Sequence, residues 1–384
     1  MNKSIRKPGI DVHQIPSPCF VIEEKLLRNN LRLLQEVSER SGAKILCALK
    51  GFSMWSTFPL VKQYLAGATA SSLHEAMLCY EEMGTKAHLC CPVYFEHEFD
   101  EIASISSHVT FNSLAQHQKF KDNAKKHSLE MAIRINPQYS EVSTALYNPC
   151  MPGSRLGVTR EQFGDVLPEG ITGLHFHALC EQNADALVNT LNKVEKDFAD
   201  FLPQIKWMNM GGGHHITRAD YDVDLLVETI KKFRNKYQVE VILEPGEAVG
   251  WQTGYLVTTV QDIIEANGFK TAMLDVSFSA HMPDCLEMPY KPFIWGEVEY
   301  NKNLPTYRLG GPTCLSGDFY GDFTFEKELS VGDKLIIDDM IHYTMVKTTT
   351  FNGVQHPNIG IWKEDNTFNL VRSFGYADFK SRLS

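Results

Sequence analysis

The sequence predicts an α/β protein, a (β/α)8 TIM-like barrel followed by a C-terminal all-β domain. The first observation is an alternation of short apolar runs with helix-like segments between about residues 30 and 260, typical of parallel strands joined by crossover helices. The second is a change, after about residue 270, to short β-rich segments bounded by turn residues. A doubly wound parallel sheet is the alternative for the first part, because alternation alone does not distinguish it from a barrel.

Eight short apolar runs are the candidate strands of the barrel, and the segments between them have helical periodicity. Helices are expected at 26–40 and 113–127, and Ser72 with Glu75 has the capping-box spacing for a helix over 73–83. The candidate strands are 44–50, 68–70, 87–91, 108–111, 131–136, 171–177, 206–210 and 240–244.

The barrel is expected to cover residues 26–268, and the β domain residues 269–384 together with 1–25. Within the β domain, the segments 332–338 and 344–351 are rich in strand-forming residues. The early run Cys19-Phe20-Val21-Ile22 is also strand-like and precedes the first helix, so we expect it to join the β domain.

Composition restricts the class of function. The chain has 384 residues, 43% of them hydrophobic, enough for two folded cores. A net charge of -10 without a Lys/Arg-rich block argues against a nucleic-acid partner. The N-terminus lacks an apolar stretch, so neither a signal peptide nor a membrane span is expected. Nine cysteines without a Cys-x-x-Cys motif favour reduced thiols in the cytoplasm over disulfides or a zinc site.

Lys50 is the most informative residue. It ends the apolar run 45–49 and is followed by Gly51, so a barrel strand would carry its amine to the C-terminal rim, where barrel active sites lie. In a confined apolar setting the pKa of an amine falls and the amine becomes nucleophilic. Taken alone, a surface lysine is the commoner explanation. Other motifs supply what pyridoxal phosphate (PLP) needs besides an amine for its aldehyde.

Two motifs follow the last two candidate strands. Gly211-Gly212-Gly213 allows backbone amides to approach a phosphate closely, although a flexible loop is an equally good explanation. Glu244-Pro245-Gly246-Glu247 puts a carboxylate at the rim, where Glu244 could hold a protonated pyridine nitrogen, or could act as a helix cap. His175 and His177 share one face of the sixth strand, and His177 could stack on a planar ring, although a core histidine is the ordinary alternative.

The second half carries further candidates. Cys314, in the loop 310–318, could give a proton to a carbanion, but a lone cysteine is more often a small buried hydrophobe. The stretch 280–290 holds Asp284 and Glu287, which could bind amines or be solvated loop charges. Tyr343 and the run 351–353 are candidates for the phosphate end and the wall of the site.

As an ordered set, these motifs resemble the fold-type III PLP decarboxylases, which include the diaminopimelate, ornithine and arginine enzymes. The likeness is strongest to the carboxynorspermidine/carboxyspermidine decarboxylases and runs over residues 17–376. It implies an alanine racemase-like barrel with a β domain, and a homodimer with shared active sites. The motifs are Lys50, Gly-Leu-His-Phe-His at 173–177, Gly-Gly-Gly-His-His at 211–215, Glu-Pro-Gly-Glu at 244–247, Ala-His-Met-Pro-Asp at 280–284 and Gly-Pro-Thr-Cys at 311–314.

The resemblance also implies roles. Lys50 would bind the PLP aldehyde, and Cys314, supplied by the other subunit in such a dimer, would protonate the product carbanion. The implied cofactor contacts are His177 on the ring, Glu244 on the pyridine nitrogen, and Gly212, Gly213, Gly246 and Tyr343 around the phosphate. Asp318 is the implied substrate contact. Further candidate substrate contacts in this sequence are Glu247, His281, Asp284 and Glu287.

Departures from the relatives narrow the substrate. Glu247 stands where ornithine decarboxylases have Arg, and the segment 284–290 lacks the Arg that binds a distal carboxylate in diaminopimelate decarboxylases. Cys180 replaces a phosphate-binding Ser, and Leu315 replaces an acidic residue. Acidic groups repel a distal carboxylate and attract distal amines. We therefore expect decarboxylation of carboxynorspermidine or carboxyspermidine to norspermidine or spermidine. Another decarboxylase of basic amino acids, a racemase and a non-catalytic PLP-binding protein are the alternatives.

Overall fold

The computed structural model describes residues 7–384, which divide into two compact units. The barrel unit is formed by residues 30–249, and the sheet unit by the described residues up to 29 together with 250–384. The second boundary lies earlier than the expected residue 268. The reason is that Gly254–Ala266 forms one long strand paired with Cys19–Glu23 and Lys334–Asp338, both in the sheet unit.

The described chain alternates strands and helices up to residue 250 and is mostly strands afterwards. The strands are β1 (Cys19–Glu23), β2 (Lys44–Ile45), β3 (Cys47–Ala48), β4 (Ala68–Ala70), β5 (Ala87–Cys90), β6 (Ser106–Phe111), β7 (Glu130–Arg134), β8 (Ile171–His175), β9 (Trp207–Asn209), β10 (Glu240–Leu243), β11 (Gly254–Ala266), β12 (Phe269–Leu274), β13 (Glu297–Val298), β14 (Thr306–Gly310), β15 (Phe319–Phe325), β16 (Lys334–Asp338), β17 (Asn358–Trp362) and β18 (Phe368–Arg372). The α-helices are α1 (Glu24–Ser41), α2 (Phe58–Val61), α3 (Leu73–Leu78), α4 (Glu96–Ser104), α5 (Leu114–Lys126), α6 (Arg160–Phe163), α7 (Ala184–Asp197), α8 (Val223–Tyr237), α9 (Glu247–Gly250), α10 (Phe278–His281), α11 (Pro283–Glu287), α12 (Tyr343–Val346) and α13 (Tyr376–Ser381).

The barrel unit contains one parallel sheet in the order β2-β10-β9-β8-β7-β6-β5-β4-β3. Strands β2 and β3 stand at opposite ends of this order, yet they are successive pieces of the expected strand 44–50. Between them, the Leu46 N–H donates to Leu243 O and the Cys47 N–H to Gly67 O, both at 2.9 Å. The sheet is therefore closed through this segment, which confirms the barrel and excludes the doubly wound sheet.

The barrel interior is packed with apolar side chains. Leu46, Ala132, Trp207 and Ile242 form one buried cluster from four strand segments. Gly173 leaves room for the indole, because a Cβ there would lie 2.2 Å from Trp207 Cε2. Most strands are shorter than expected at their C-terminal ends. As a result, the predicted site residues stand just beyond the regular strands, on the rim.

Helix starts follow the expected capping chemistry. The Ser72 hydroxyl accepts from the Glu75 N–H at 3.2 Å at the start of α3, and Ser113 caps α5 in the same way. The Glu75 carboxylate reaches the N–H of Ser71 instead of that of Ser72, so the capping box is offset by one residue. The helix expected over 73–83 ends as α3 at Leu78 and continues as a π-helical turn, Cys79–Met83.

The sheet unit contains a mixed sheet in the order β13-β15-β14-β12-β11-β1-β17-β18, with β16 pairing to β11. Strand β1 lies antiparallel to β11 and parallel to β17. The prediction that Cys19-Phe20-Val21-Ile22 joins the β domain is therefore confirmed. No helix of residues 7–384 is both long enough and apolar enough to cross a membrane.

The prediction of a strand at 344–351 is wrong. The segment forms α12 and a 3-10 turn at Phe351–Gly353. Tertiary hydrogen bonds outweigh the β propensity of its threonines: the Thr344 hydroxyl donates to Asp284 Oδ2, and the Thr349 N–H donates to Ala280 O, both at 2.7 Å.

Candidate active site

Lys50 and His177 meet at the C-terminal rim of the barrel unit. Lys50 Nζ lies 3.4 Å from His177 Nε2. Part of the Lys50 side chain is open to solvent. Nevertheless, protein atoms packed around the amine lower its pKa by desolvation, and the positive charge of Arg134 adds to this effect. The amine is therefore more readily available in its neutral, nucleophilic form than a free lysine.

The protonation of His177 follows from its hydrogen bonds. The backbone N–H of Gly212 donates to His177 Nδ1 at 2.9 Å, so Nδ1 carries no proton. The ring proton is then on Nε2, which faces Lys50. Burial and the charge of Lys50 hold the pKa of His177 well below its usual range. The result is a neutral aromatic ring of fixed orientation.

The glycine loop is organised differently from the expectation. The Gly212 N–H is directed at His177, and the Gly211 N–H donates to Asn209 Oδ1 at 2.9 Å. The Gly212 amide is therefore occupied by His177, and its predicted contact with the phosphate stays a prediction. The Gly213 N–H has no acceptor within residues 7–384 and is the better candidate. Glycine is required at 213, because φ is +82° and a Cβ would lie 2.0 Å from Leu179 O.

Glu244 is a buried and anchored carboxylate, with 6% of the residue exposed. Its Oε1 accepts from Asn209 Nδ2 at 2.7 Å, and its Oε2 lies 3.6 Å from His175 Nε2. Burial raises the pKa of Glu244, while hydrogen bonds from Asn209 and Thr69 oppose that shift. The role of Glu244 as the partner of a protonated ring nitrogen stays a prediction.

Gly246 and Glu247 occupy the turn beside Lys50. A Cβ on Gly51 would lie 3.0 Å from Gly246 Cα, and one on Gly246 would lie 3.1 Å from Ala48 O. The role of Gly246 supported by this geometry is close packing against the Lys50 turn. Glu247 starts α9 and is half-buried. Burial, together with the nearby acidic side chains, Glu247 among them, raises the pKa of Cys180 to about 12, so this thiol stays protonated.

Sequence reasoning missed three residues of this rim. Asn209 ends β9, Arg134 ends β7, and Thr69 lies within β4. Two of them could have been found, because Asn209 stands two residues before the glycine loop and Arg134 is a cation at the end of an apolar run. Thr69 has no such signal.

Comparison with known proteins identifies the family. Residues 19–341 match the family described as pyridoxal-dependent decarboxylase, C-terminal sheet domain. The chain belongs to the pyridoxal-dependent decarboxylases.

The chain is similar to proteins that are named as decarboxylases of carboxylated amines. The chain is 49% identical to the carboxyaminopropylagmatine decarboxylase of Synechocystis sp., over 96% of each chain. It is 45% identical to the carboxynorspermidine/carboxyspermidine decarboxylase of Campylobacter jejuni, over 96% of this chain and 99% of the relative. The crystal structure of the carboxynorspermidine decarboxylase of Campylobacter jejuni with norspermidine superposes with a TM-score of 0.90 at 44% identity, covering 96% of this chain and 100% of the other.

The sheet unit of the decarboxylase carries Cys314 on an exposed loop. The Cys314 N–H donates to Asn352 Oδ1 at 2.8 Å. Asp318 is 4% exposed and holds the same loop: its Oδ1 accepts from Ser277 Oγ at 3.0 Å, and its Oδ2 accepts from Thr313 Oγ1 at 2.6 Å. These bonds support a structural role for Asp318 in fixing the loop, and its predicted substrate contact stays a prediction.

The two carboxylates of the 280–290 segment differ. Asp284 is 7% exposed, and its Oδ2 accepts from Tyr290 OH at 2.9 Å and from Thr344 Oγ1 at 2.7 Å. Its Oδ1 is buried with no partner within residues 7–384. Glu287 is exposed and forms an ion pair with Lys347. Of these two, Asp284 is therefore the one with a buried carboxylate oxygen that lacks a donor within residues 7–384.

His281 and Tyr343 are the remaining predicted contacts. His281 is fully buried, and its Nδ1 accepts from the Ser277 N–H at 3.1 Å. Burial lowers the pKa of His281 to about 4, so its ring is neutral. Its Nε2 is buried without a hydrogen-bond partner within residues 7–384, and its predicted substrate contact stays a prediction. Tyr343 starts α12 and is half-buried.

The barrel rim fits a pyridoxal group. It offers an amine with a lowered pKa, a neutral flat imidazole and a buried carboxylate. It also has a backbone turn so close-packed that a side chain at Gly213 would collide with Leu179 O. The amine suits an aldehyde, and the imidazole suits the face of a planar ring. The carboxylate suits a ring nitrogen, and the backbone turn suits a phosphate.

Proposed function

We propose that this decarboxylase removes the α-carboxylate of carboxynorspermidine or carboxyspermidine, using PLP, to give norspermidine or spermidine and CO2. The observation that carries the proposal is the buried Asp284 carboxylate, whose Oδ1 lacks a donor within residues 7–384. A buried unpaired carboxylate oxygen is costly unless a ligand pairs with it, and a polyamine supplies cationic donors. The names of the similar enzymes agree with this substrate class.

The proposed cofactor contacts follow from the rim. Lys50 would hold the aldehyde, Glu244 the ring nitrogen, His177 the ring face and Gly213 the phosphate, with Tyr343 as a further phosphate candidate. When bound, PLP supplies an electron sink that stabilises negative charge at the substrate Cα as CO2 leaves. The ionised Glu244 carboxylate would favour a protonated ring nitrogen. Hydrogen bonds from Asn209 and Thr69 favour this ionised form, against the effect of burial, which raises the pKa of Glu244.

Lys50 and Cys314 are the two proposed catalytic residues. Lys50 would hold the cofactor aldehyde, and its lowered pKa favours the neutral amine that this role needs. Cys314 would deliver a proton from Sγ to the substrate Cα after CO2 has left. Its backbone is held by Asn352 and its loop by Asp318, so the thiol is carried on a fixed turn.

The working unit is proposed to be a homodimer in which Cys314 of one subunit serves the barrel of the other. The support is apolar exposure around the thiol: Leu315 is 46%, Phe319 38% and Phe351 49% exposed. Such surfaces are commonly covered by a partner. All nine cysteines are free, which supports a reducing cytoplasmic setting.

The name of the Synechocystis enzyme suggests a second candidate substrate, carboxyaminopropylagmatine. Agmatine ends in a planar guanidinium, which prefers both oxygens of a carboxylate, whereas an ammonium needs only one. Because Asp284 Oδ2 is already bonded to two hydroxyls, its single open oxygen favours a terminal or secondary amine.

A product assay on PLP-loaded protein tests the proposal. The substrates are carboxynorspermidine, carboxyspermidine, carboxyaminopropylagmatine, meso-diaminopimelate, ornithine and arginine, and the amines are detected by mass spectrometry. Norspermidine or spermidine as the main product supports the proposal. Preference for carboxyaminopropylagmatine, or release of lysine, putrescine or agmatine, would agree with the proposed mechanism but contradict the proposed substrate. Absence of any product, with cofactor bound to Lys50, favours a non-catalytic PLP-binding protein.

A further inference from the structure

Asn209 joins two parts of the barrel rim. It is the last residue of β9 and is 2% exposed. Its Oδ1 accepts from the Gly211 N–H at 2.9 Å, and its Nδ2 donates to Glu244 Oε1 at 2.7 Å. One carboxamide therefore links the glycine loop after β9 to the carboxylate after β10.

The orientation of this carboxamide is fixed by the chemistry of its neighbours. A backbone N–H can only donate, so the atom facing Gly211 is Oδ1. The atom facing Glu244 is then the NH2 group, which also only donates. Glu244 Oε1 must accept and carries no proton. A proton on the Glu244 carboxyl is thereby confined to Oε2, on the side of His175 Nε2 at 3.6 Å.

We propose that Asn209 is a positioning residue for the cofactor site. It keeps Glu244 Oε1 occupied as an acceptor, leaves Oε2 as the oxygen that can share a proton with a bound heterocycle, and fixes the glycine loop to the same carboxylate. The inference rests on the proposed PLP site and adds to it a residue that need not touch the cofactor.

Other groups around Glu244 also influence its ionisation. Burial disfavours its charged form, whereas the positive charges of Lys50 and Arg134 favour it. The hydrogen-bonding and titratable neighbours at the same strand ends are Thr69, Cys90 and His175. Asn209 is the neighbour that binds both Glu244 and the glycine loop.

The first test is Asn209→Asp, which has nearly the same shape. The introduced carboxylate would still accept from Gly211, but its second oxygen would face Glu244 and repel it. The pair of carboxylates would bind a proton more tightly than the unfolded chain does. Stability of the cofactor-free protein should therefore be close to wild type near pH 5 and fall as the pH rises to about 8. PLP should also dissociate at least about tenfold faster, because the charge-assisted hydrogen bond from Asn209 to the Glu244 carboxylate is lost.

A double variant separates this effect from a general packing defect. Asn209→Asp with Glu244→Gln exchanges the two groups, so an amide again faces a carboxylate. Thermal stability of the cofactor-free double variant near pH 8 should recover, while the pH response of the bound-cofactor spectrum should stay altered, since residue 244 is neutral. If Asn209→Asp does not fold, the test depends on the double variant, which the proposal predicts will fold.

Asn136 provides a matched control at the end of another strand. It is 6% exposed, donates from Nδ2 to Leu156 O at 3.1 Å and accepts from the Gln138 N–H at 2.8 Å. Glu244→Gln should not rescue Asn136→Asp. The proposal is overturned if Asn209→Asp shows wild-type pH dependence and PLP retention, or if Glu244→Gln fails to rescue it. Neither readout uses a substrate, so a wrong substrate assignment would not affect the result.

Discussion

The backbone N–H of Gly212 donates to Nδ1 of His177 at 2.9 Å. This one bond fixes the ring tautomer, turns Nε2 toward Lys50, and occupies the Gly212 amide. The loop and the histidine therefore act together: the Gly212 N–H orients the ring, and the Gly213 N–H, which has no acceptor within residues 7–384, is left as the candidate donor to the proposed phosphate.

Replacing His177 tests this bond. His177→Phe keeps a flat ring but leaves the buried Gly212 N–H without an acceptor, so the free energy of unfolding of the cofactor-free protein should fall by about 1–3 kcal/mol. Denaturant titration measures this. His177→Asn is the matched control, because its carboxamide oxygen can accept near the same point and should recover most of the loss. Equal losses for both variants would contradict the tautomer assignment.

Asp318 should be a stability residue of the Cys314 loop. In Asp318→Asn, one side of the amide becomes a donor and faces either Ser277 Oγ and the Ser279 N–H, or the Thr313 N–H and hydroxyl. Unfolding free energy should fall by about 2–4 kcal/mol. Asp322→Asn, whose carboxylate is half-exposed and paired with Arg308, should change it by less than about 0.5 kcal/mol. Unchanged stability of Asp318→Asn would favour the substrate-binding interpretation.

The carboxamide of Asn352 should place Cys314. Asn352 has φ of +57°, so Asn352→Gly removes the hydrogen bond to the Cys314 N–H without adding backbone strain. We expect kcat to fall about tenfold while the cofactor spectrum stays unchanged. Cys314→Ala should lower kcat further, because a positioned proton donor contributes about 100-fold or more to the rate.

The control for Asn352→Gly is Asn366→Gly, at φ of +63° in another turn of the same unit. It should retain wild-type kcat. A fully active Asn352→Gly, or a fully active Cys314→Ala, would remove these residues from the reaction.

The ion pair between Lys347 and Glu287 should weaken substrate binding in the wild-type protein. Lys347 pairs with Glu287, so a distal substrate amine that binds Glu287, as predicted from the sequence, would have to compete with Lys347. Lys347→Gln should lower KM for carboxynorspermidine about two- to fivefold, with kcat unchanged, because exposed ion pairs contribute less than about 1 kcal/mol. Lys270→Gln, which breaks the Lys270–Glu328 pair in the same unit, should leave KM unchanged. An unchanged or higher KM in Lys347→Gln would mean that Glu287 does not contact the substrate.

Much of the fold could be predicted from the sequence, because strand periodicity and helix caps are local. The closed barrel and the membership of Cys19-Phe20-Val21-Ile22 in the sheet unit were expected and confirmed. The segment 344–351 was mispredicted, since hydrogen bonds to Asp284 and Ala280, distant in sequence, outweigh its local propensity. The boundary near 250 depends on the pairing of β11, which is also non-local.

For the site, the sequence by itself determined which chemical groups are available and at which strand ends they stand. Lys50, His177 and Glu244 could be chosen this way, because parallel strands bring their C-terminal ends to one rim. Only the tertiary structure decided how those groups are used. Gly212 is committed to His177, Asp318 to its own loop and Glu287 to Lys347, while Asn209 connects Glu244 to the glycine loop. The physical reason is that hydrogen bonds and ion pairs saturate, and their partners are set by three-dimensional proximity, which residue type and spacing do not encode.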